Sequence, residues 1–371
     1  MMQEDFFNLI PLDFFTPNKT DGIHHLFKLL KRAESHSRNM QISYAYGSLQ
    51  SFSLRSKIES KYFPLEIQNY VSKNSKGITK LNLKIRERTI SIYFFSINND
   101  QQIQLKKYIK PLKLWFSLMD LITPNFHINN KLKINIYLTP FKKCMPSMDG
   151  EFTSHHINSA LTNICLPEGE ITIYRKEEWF KVLLHECIHS FCLDFSNNTA
   201  IDLRKCLFNY FPIHVENVLY SESYAETWAE ILNCAIISFD DVGDNLRLFS
   251  LYFNYYMQVE IVHSIFQANK ILDRYNSSFK TLREKKFLWK QKTHVFEYHI
   301  IKTILLFSFD KFIVWCYQNN GYNLIPFNLE NLWSFCNLIK ESYEKKELHE
   351  KVKKIKMRSN GNSLRMSINE I

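Results

Sequence analysis

Apolar and polar positions divide the chain into a mixed first half and a helical second half. ITKLNLKI (78–85) and TISIYFFS (89–96) alternate with a period of two, which predicts a pair of strands. KLKINIYL (131–138), closed by Thr139-Pro140, repeats that pattern, and HHINSALT (155–162) and EITIYR (170–175) read as two further short strands. Between them, QLKKYIKPLKLWFSLMDLI (104–122) has helical spacing. Pro111 lies near its middle, where a missing N–H is expected to kink or split the helix. Residues 1–75 mix short helical patterns such as HHLFKLLKRAE (24–34) with polar connections. After Glu177 the pattern turns helical. EEWFKVLLHECIHSF (177–191) opens on acids that suit the positive end of a helix. Further helices are expected over about 201–210, at SESYAETWAEILNCAIIS (221–238), and over about 244–275, 289–308 and 328–350. This order predicts an α+β fold. An N-terminal accessory α/β segment would cover 1–75, a core 76–243 and a helical subdomain 244–350. A polar tail, 351–371, would be loosely held.

Composition narrows the chemistry. With 8 glycines in 371 residues, neither G-x-G-x-x-G nor G-x-x-x-x-G-K-[ST] occurs, so a Rossmann dinucleotide site and a P-loop are excluded. Hydrophobic residues at 45% are ample for a large core, so disorder is not expected. The net charge of +10 is dispersed, with no arginine-rich block. Lys, Asn, Ile, Phe and Tyr are abundant together, which reads as the bias of an AT-rich genome. No nucleic-acid motif accompanies the charge. Eight cysteines show no C-x-x-C spacing and read as reduced, mostly buried thiols of an intracellular protein. The opening MMQEDFFNLIPLDFF carries acids before any apolar run, unlike a signal peptide. No apolar run approaches the ~18–20 residues that span a bilayer. A soluble cytosolic protein with no membrane partner is expected, and no oligomeric state follows.

The feature that carries chemistry is His185-Glu186-Cys187-Ile188-His189, an H-E-x-x-H. On a helix, residues four apart stack on one face, so both imidazoles can bind one zinc ion. Glu186, beside them, can take a proton from a metal-activated water. A hydrolytic zinc site needs a third protein ligand. His214 stands 25 residues beyond His189, and Glu222 stands 33 beyond it. Glu222 opens E-S-Y-A-E-T-W-A-E, which also holds Glu226 and Glu230. A metzincin is excluded, because position 195 is Phe195.

E-S-Y-A-E-T-W-A-E resembles the second signature of gluzincin metallopeptidases, E-x-x-A-[DEN]-x-x-A. EITIYRKEEWFKVLLHECIHSFCLDF (170–195), KTHVFEYHIIKTIL (292–305) and LRMSINEI (364–371) are similar to the predicted zinc metallopeptidases of giant DNA viruses. The resemblance covers roughly residues 130–371. It implies a zincin-like mixed sheet packed on the H-E-x-x-H helix, followed by a helical subdomain that closes the cleft. His185, His189 and Glu222 would hold one zinc per chain, and Ala225 and Ala229 would let the Glu222 helix approach. Glu226 would accept a hydrogen bond from a ligand histidine. Glu186 would be the general base, and Tyr298, with His294 and His299 as alternatives, would donate to the oxyanion. Asn158 and Ala160 would sit on an edge strand that receives substrate. The implied activity is hydrolysis of a protein or peptide substrate, in the cytoplasm of a host cell or a virion. Two other readings stand beside it: a zincin fold that binds without turnover, and a protease attracted to DNA by its positive charge.

Overall fold

The computed structural model describes residues 21–48, 63–97, 105–123, 125, 127–197, 201–214, 218–284, 287–289, 291–355 and 361–371, with backbone alone at 48, 201–204, 213–214 and 287–288. The opening MMQEDFFNLIPLDFF lies outside them. The fold is mixed α+β, a six-stranded open sheet followed by helices. α1 (Asp21–Ser37) precedes β1 (Gln41–Ser48), α2 (Leu65–Asn74) and the strand pair β2 (Ser75–Ile85) and β3 (Arg88–Ile97). α3 (Leu105–Ile122) crosses to β4 (Lys131–Thr139). A helical turn, α4 (Ser154–Ile157), leads to β5 (Ala160–Thr162) and then β6 (Glu168–Arg175).

The sheet order is β1-β2-β3-β4-β6-β5. β3, β4 and β6 run parallel, while β1/β2, β2/β3 and β5/β6 are antiparallel. The parallel step from β3 to β4 needs a crossover, and α3 supplies it. Alternation along β3 separates two apolar layers. Ile90, Ile92 and Phe94 join the main core, whereas Tyr93 and Phe95 face a smaller cluster with Ile67 and Val71 of α2. The main core lies between the sheet and the helices. Residues before 76 contribute to both layers and to the sheet, since Leu26 and Leu30 of α1 are fully buried in the main core and β1 pairs along its length with β2.

Several expectations change. α3 is one continuous helix through Pro111, because a single lost backbone bond is outweighed by burial of Leu112, Trp115 and Met119. Only 160–162 of HHINSALT is strand. Residues 154–157 form a helical turn, in which the Thr153 N–H donates to His156 Nδ1 (3.2 Å). The helical half contains α5 (Trp179–Ser190), α6 (Ile201–Phe208), α7 (Tyr220–Val242) and α8 (Leu246–Arg274). A π-helical turn (Phe296–Ile301) then leads into α9 (Lys302–Phe307), followed by α10 (Phe309–Asn320), α11 (Leu332–Tyr343) and α12 (Lys346–Lys354). The pattern missed α10 as a separate element. A short parallel pair, β7 (Ile213–His214) with β8 (Phe287–Leu288), links the subdomain's loops.

Two cysteine pairs are disulfides, Cys165–Cys192 and Cys206–Cys336, so the expectation of reduced thiols throughout does not hold. The topology joins partners 27 and 130 residues apart, which spacing alone cannot reveal. Cys187, Cys234 and Cys316 are buried free thiols, whereas Cys144 is exposed. Residues 361–371 are not loosely held either. Leu364 and Ser367 are fully buried and Met366 nearly so. Among the described residues no helix is long and apolar enough to cross a membrane.

Candidate metal centre

The H-E-x-x-H lies on α5, all twelve residues of which are buried. α5 packs on β5 and β6 on one side and on α7 on the other. Its acids are not in its first turn. Glu177 and Glu178 precede it, and Glu178 adopts a left-handed conformation (φ 59°) at the N-cap. The helix ends in a Schellman turn. Cys192 takes the left-handed position (φ 58°), its N–H donating to His189 O (3.0 Å), and the Leu193 N–H donates to Ile188 O (2.9 Å). Glycine usually fills that position. Here a cysteine does, tied to Cys165, which is also left-handed (φ 59°).

This turn folds the chain back so that Asp194 Oδ2 lies 2.8 Å from His189 Nδ1. Ser196 Oγ donates to the other Asp194 oxygen (2.8 Å) and fixes the carboxylate. The second imidazole has its own acid: Glu226 Oε2 stands 2.9 Å from His185 Nδ1, close but poorly aligned for a hydrogen bond. Glu226 Oε1 accepts from Lys181 Nζ, one turn before His185 on α5.

With both Nδ1 atoms facing carboxylates, the Nε2 atoms turn toward each other and toward Glu222 on the first turn of α7. His185 Nε2 and His189 Nε2 are 3.1 Å apart, and Glu222 Oε2 lies 3.3 and 3.2 Å from them. A tetrahedral zinc shell with bonds of about 2.0–2.1 Å has edges of about 3.3–3.4 Å. The three donors therefore form a triangle the size of one face of such a shell, with two imidazoles and a carboxylate as the donor set. They could hold a divalent cation. Ala225 and Ala229 are fully buried where α7 meets α5.

The electrostatics follow from burial and pairing. Burial pulls the His189 imidazole down, but Glu222 and Asp194 outweigh it and hold it well above its ordinary value. Burial also opposes the charge on His185, and its contacts with Glu222 and Glu226 raise it nonetheless. Glu222 is pushed up by burial, yet the imidazoles hold it well below the usual carboxylate range. The cluster is built to balance positive charge at the Nε2 positions.

Glu186 turns into the adjoining cleft, where burial raises it above an ordinary glutamate despite the two histidines. Tyr298 reaches the same cleft from the π-helical turn, and its hydroxyl donates to Glu222 Oε2 (3.0 Å). Burial, then Glu222 and Glu186, keep that hydroxyl protonated and able to donate. Asn158 and Ala160 line the cleft beside them. Asn158 Oδ1 accepts from Thr293 Oγ1 (2.7 Å), so its side chain is already engaged. β5 lies at the sheet edge.

Among the described residues, the alternatives do not join these three donors. Glu226 stands behind His185. Glu230 is buried between Lys181 (3.8 Å) and Lys302 (3.4 Å). His214 lies on β7, with its side chain outside the described residues. His294 pairs with Glu297 (3.5 Å), and the fully buried His299 is held neutral by burial. Asp194 and Lys181 were missed in the sequence. Asp194 reaches His189 across a helix end with no glycine to mark it, and Lys181 resembles any helix-face lysine until burial is known. Among the described residues, His185, His189 and Glu222 are the group of three or more potential ligand side chains that converges. No protein-family model, curated protein or solved structure matches this chain.

Proposed function

We propose that the protein is a zinc-dependent metallopeptidase of the gluzincin type, with His185, His189 and Glu222 as the metal ligands. One observation carries the reading: three donor atoms spaced 3.1–3.3 Å apart, with the far nitrogen of each imidazole facing a buried carboxylate. A zinc ion bound there supplies Lewis acidity, acidifying a water and polarising a carbonyl.

The chain's own residues do the rest. Glu186 is a buried carboxylate more basic than usual, suited to take the proton of the attacking water and deliver it to the leaving amine. Tyr298, whose hydroxyl donates to Glu222 Oε2 beside the same cleft, is the proposed donor to the negative charge that would develop on the carbonyl oxygen. Asp194 and Glu226 keep each imidazole turned so that Nε2 faces Glu222. β5, with Ala160, is the outermost strand of the sheet among the described residues and is proposed as the edge along which an extended peptide would lie.

The test combines metal content and turnover. The purified protein should hold about one zinc per chain. Glu186→Gln should retain that zinc and lower cleavage of an unfolded, dye-quenched protein by about 10²–10⁴-fold, or roughly 3–5 kcal/mol of barrier. Undiminished cleavage by Glu186→Gln would sink the catalytic assignment. Zinc binding by a wild type that cleaves nothing would favour a zincin-type fold kept for binding.

A further inference from the structure

Residues 361–371 run as an extended strap behind the metal centre, and buried charged groups recognise their backbone. Glu178 Oε1 accepts from the N–H groups of Met366 (2.5 Å) and Ser367 (3.2 Å). Glu260, on α8, accepts from those of Ile368 (3.0 Å) and Asn369 (2.8 Å), and from Ser367 Oγ (2.7 Å). Lys270 Nζ donates to Ser363 O (2.6 Å), and Lys302 Nζ donates to Met366 O (3.2 Å). Glu178 and Glu260 are buried, so the strap's N–H groups supply much of their solvation.

Met366 is the point of contact with the site. Its side chain lines the cleft, and its sulfur lies 3.9 Å from Lys181 Nζ. Lys181 is itself 98% buried among Glu226, Glu178 (3.8 Å) and Glu230 (3.8 Å). A continuous line of contacts therefore runs from the strap through Lys181 and Glu226 to His185 Nδ1. The Lys302 ammonium that holds Met366 O also faces Glu230 (3.4 Å), which in turn stands 3.8 Å from Lys181, a second route from the strap to the same ammonium.

We propose that residues 361–371 are a positioning strap for the metal centre, in which Met366 seats Lys181 so that Glu226 stays against His185. The inference rests on the metal-site reading above. Without the thioether, water can enter beside the Lys181 ammonium. The ammonium then no longer needs Glu226 at close range, and the carboxylate is freed to leave the imidazole. Groups behind ligand histidines typically contribute 10–100-fold to metal affinity. A change one contact further back is expected to cost about tenfold or somewhat less.

The experiment measures zinc affinity of full-length variants by competition with a fluorescent chelator, with the visible bands of cobalt(II)-loaded protein as a second readout. Met366→Ala should weaken zinc binding by about 3–10-fold and shift the cobalt spectrum, and Met366→Leu should restore both. In a Lys181→Met background, Met366→Ala should cost no further affinity, because the line is already broken. If Met366→Ala does not fold, Glu260→Gln, which loosens the strap's distant anchor, should weaken zinc binding in the same direction. A folded Met366→Ala protein with wild-type affinity and spectrum overturns the proposal and leaves the metal site standing. A wild type that binds no zinc removes the metal-site reading, and the strap proposal with it.

Discussion

The sharpest consequence of the cluster's electrostatics is a stability increment from zinc that grows with pH. Both imidazoles titrate above the ordinary histidine value in the protein, near 6.5, because Glu222, Asp194 and Glu226 outweigh the cost of burial. A raised group stabilises the fold fully below its unfolded pKa and loses that contribution as pH climbs through its folded pKa. Chelated protein should thus lose stability from about pH 6.5 upward through these two groups. On the proposed metal-site reading, a zinc ion held by both Nε2 atoms would take the place of their protons, so up to two protons would leave per ion bound. Each proton is worth about 1.36 kcal/mol per pH unit. The zinc-dependent increment in unfolding free energy should therefore rise by up to about 2.7 kcal/mol per unit at pH values below the raised values of both imidazoles, and flatten above them. The measurement is urea unfolding at several pH values, in chelator and in buffered free zinc. Subtraction cancels groups outside the cluster, such as Lys270, which burial draws down to about 8. A slope near half that size would mean that one imidazole is already neutral. An increment that does not change with pH would refute the charge balance argued for the site.

Other consequences follow from single side chains. Glu222→Ala should abolish tight zinc binding, whereas His214→Ala should leave it intact; the reverse, read by metal analysis after dialysis, would move the third ligand to β7. Asp194→Ala removes the partner of His189 Nδ1 and should weaken zinc affinity by about 10–100-fold while zinc-saturated protein keeps its fold, checked by chelator competition and circular dichroism. A loss below twofold would show that the Schellman turn does not orient His189.

Much of the framework was legible because it depends on local period. The strands at 78–85, 89–96, 131–138 and 170–175 show a period of two because successive side chains face opposite sides of the sheet, and the apolar runs in their middles fit burial on both faces. The H-E-x-x-H is likewise local, since four residues make about one helical turn and place both imidazoles on one face. Glu222 was legible as a residue of the right type in a second helical signature. Its distance from the histidines was not, because 33 intervening residues do not fix how two helices pack.

Elsewhere long-range packing overruled the local signal. HHINSALT reads as a strand along its length, but only three residues find a partner on β6. Pro111 argues for a broken helix, and burial of the residues after it keeps the helix whole. The tail from 361 is polar in composition, yet buried Glu178 and Glu260 need donors, and its backbone provides them. Asp194 and Lys181 carry no mark in the sequence because their roles depend on which charges are excluded from water. The spacing of the histidines follows from helix geometry, which every chain obeys. Which carboxylate faces each one, and which segment packs behind the site, depends on desolvating charges among elements far apart in the chain.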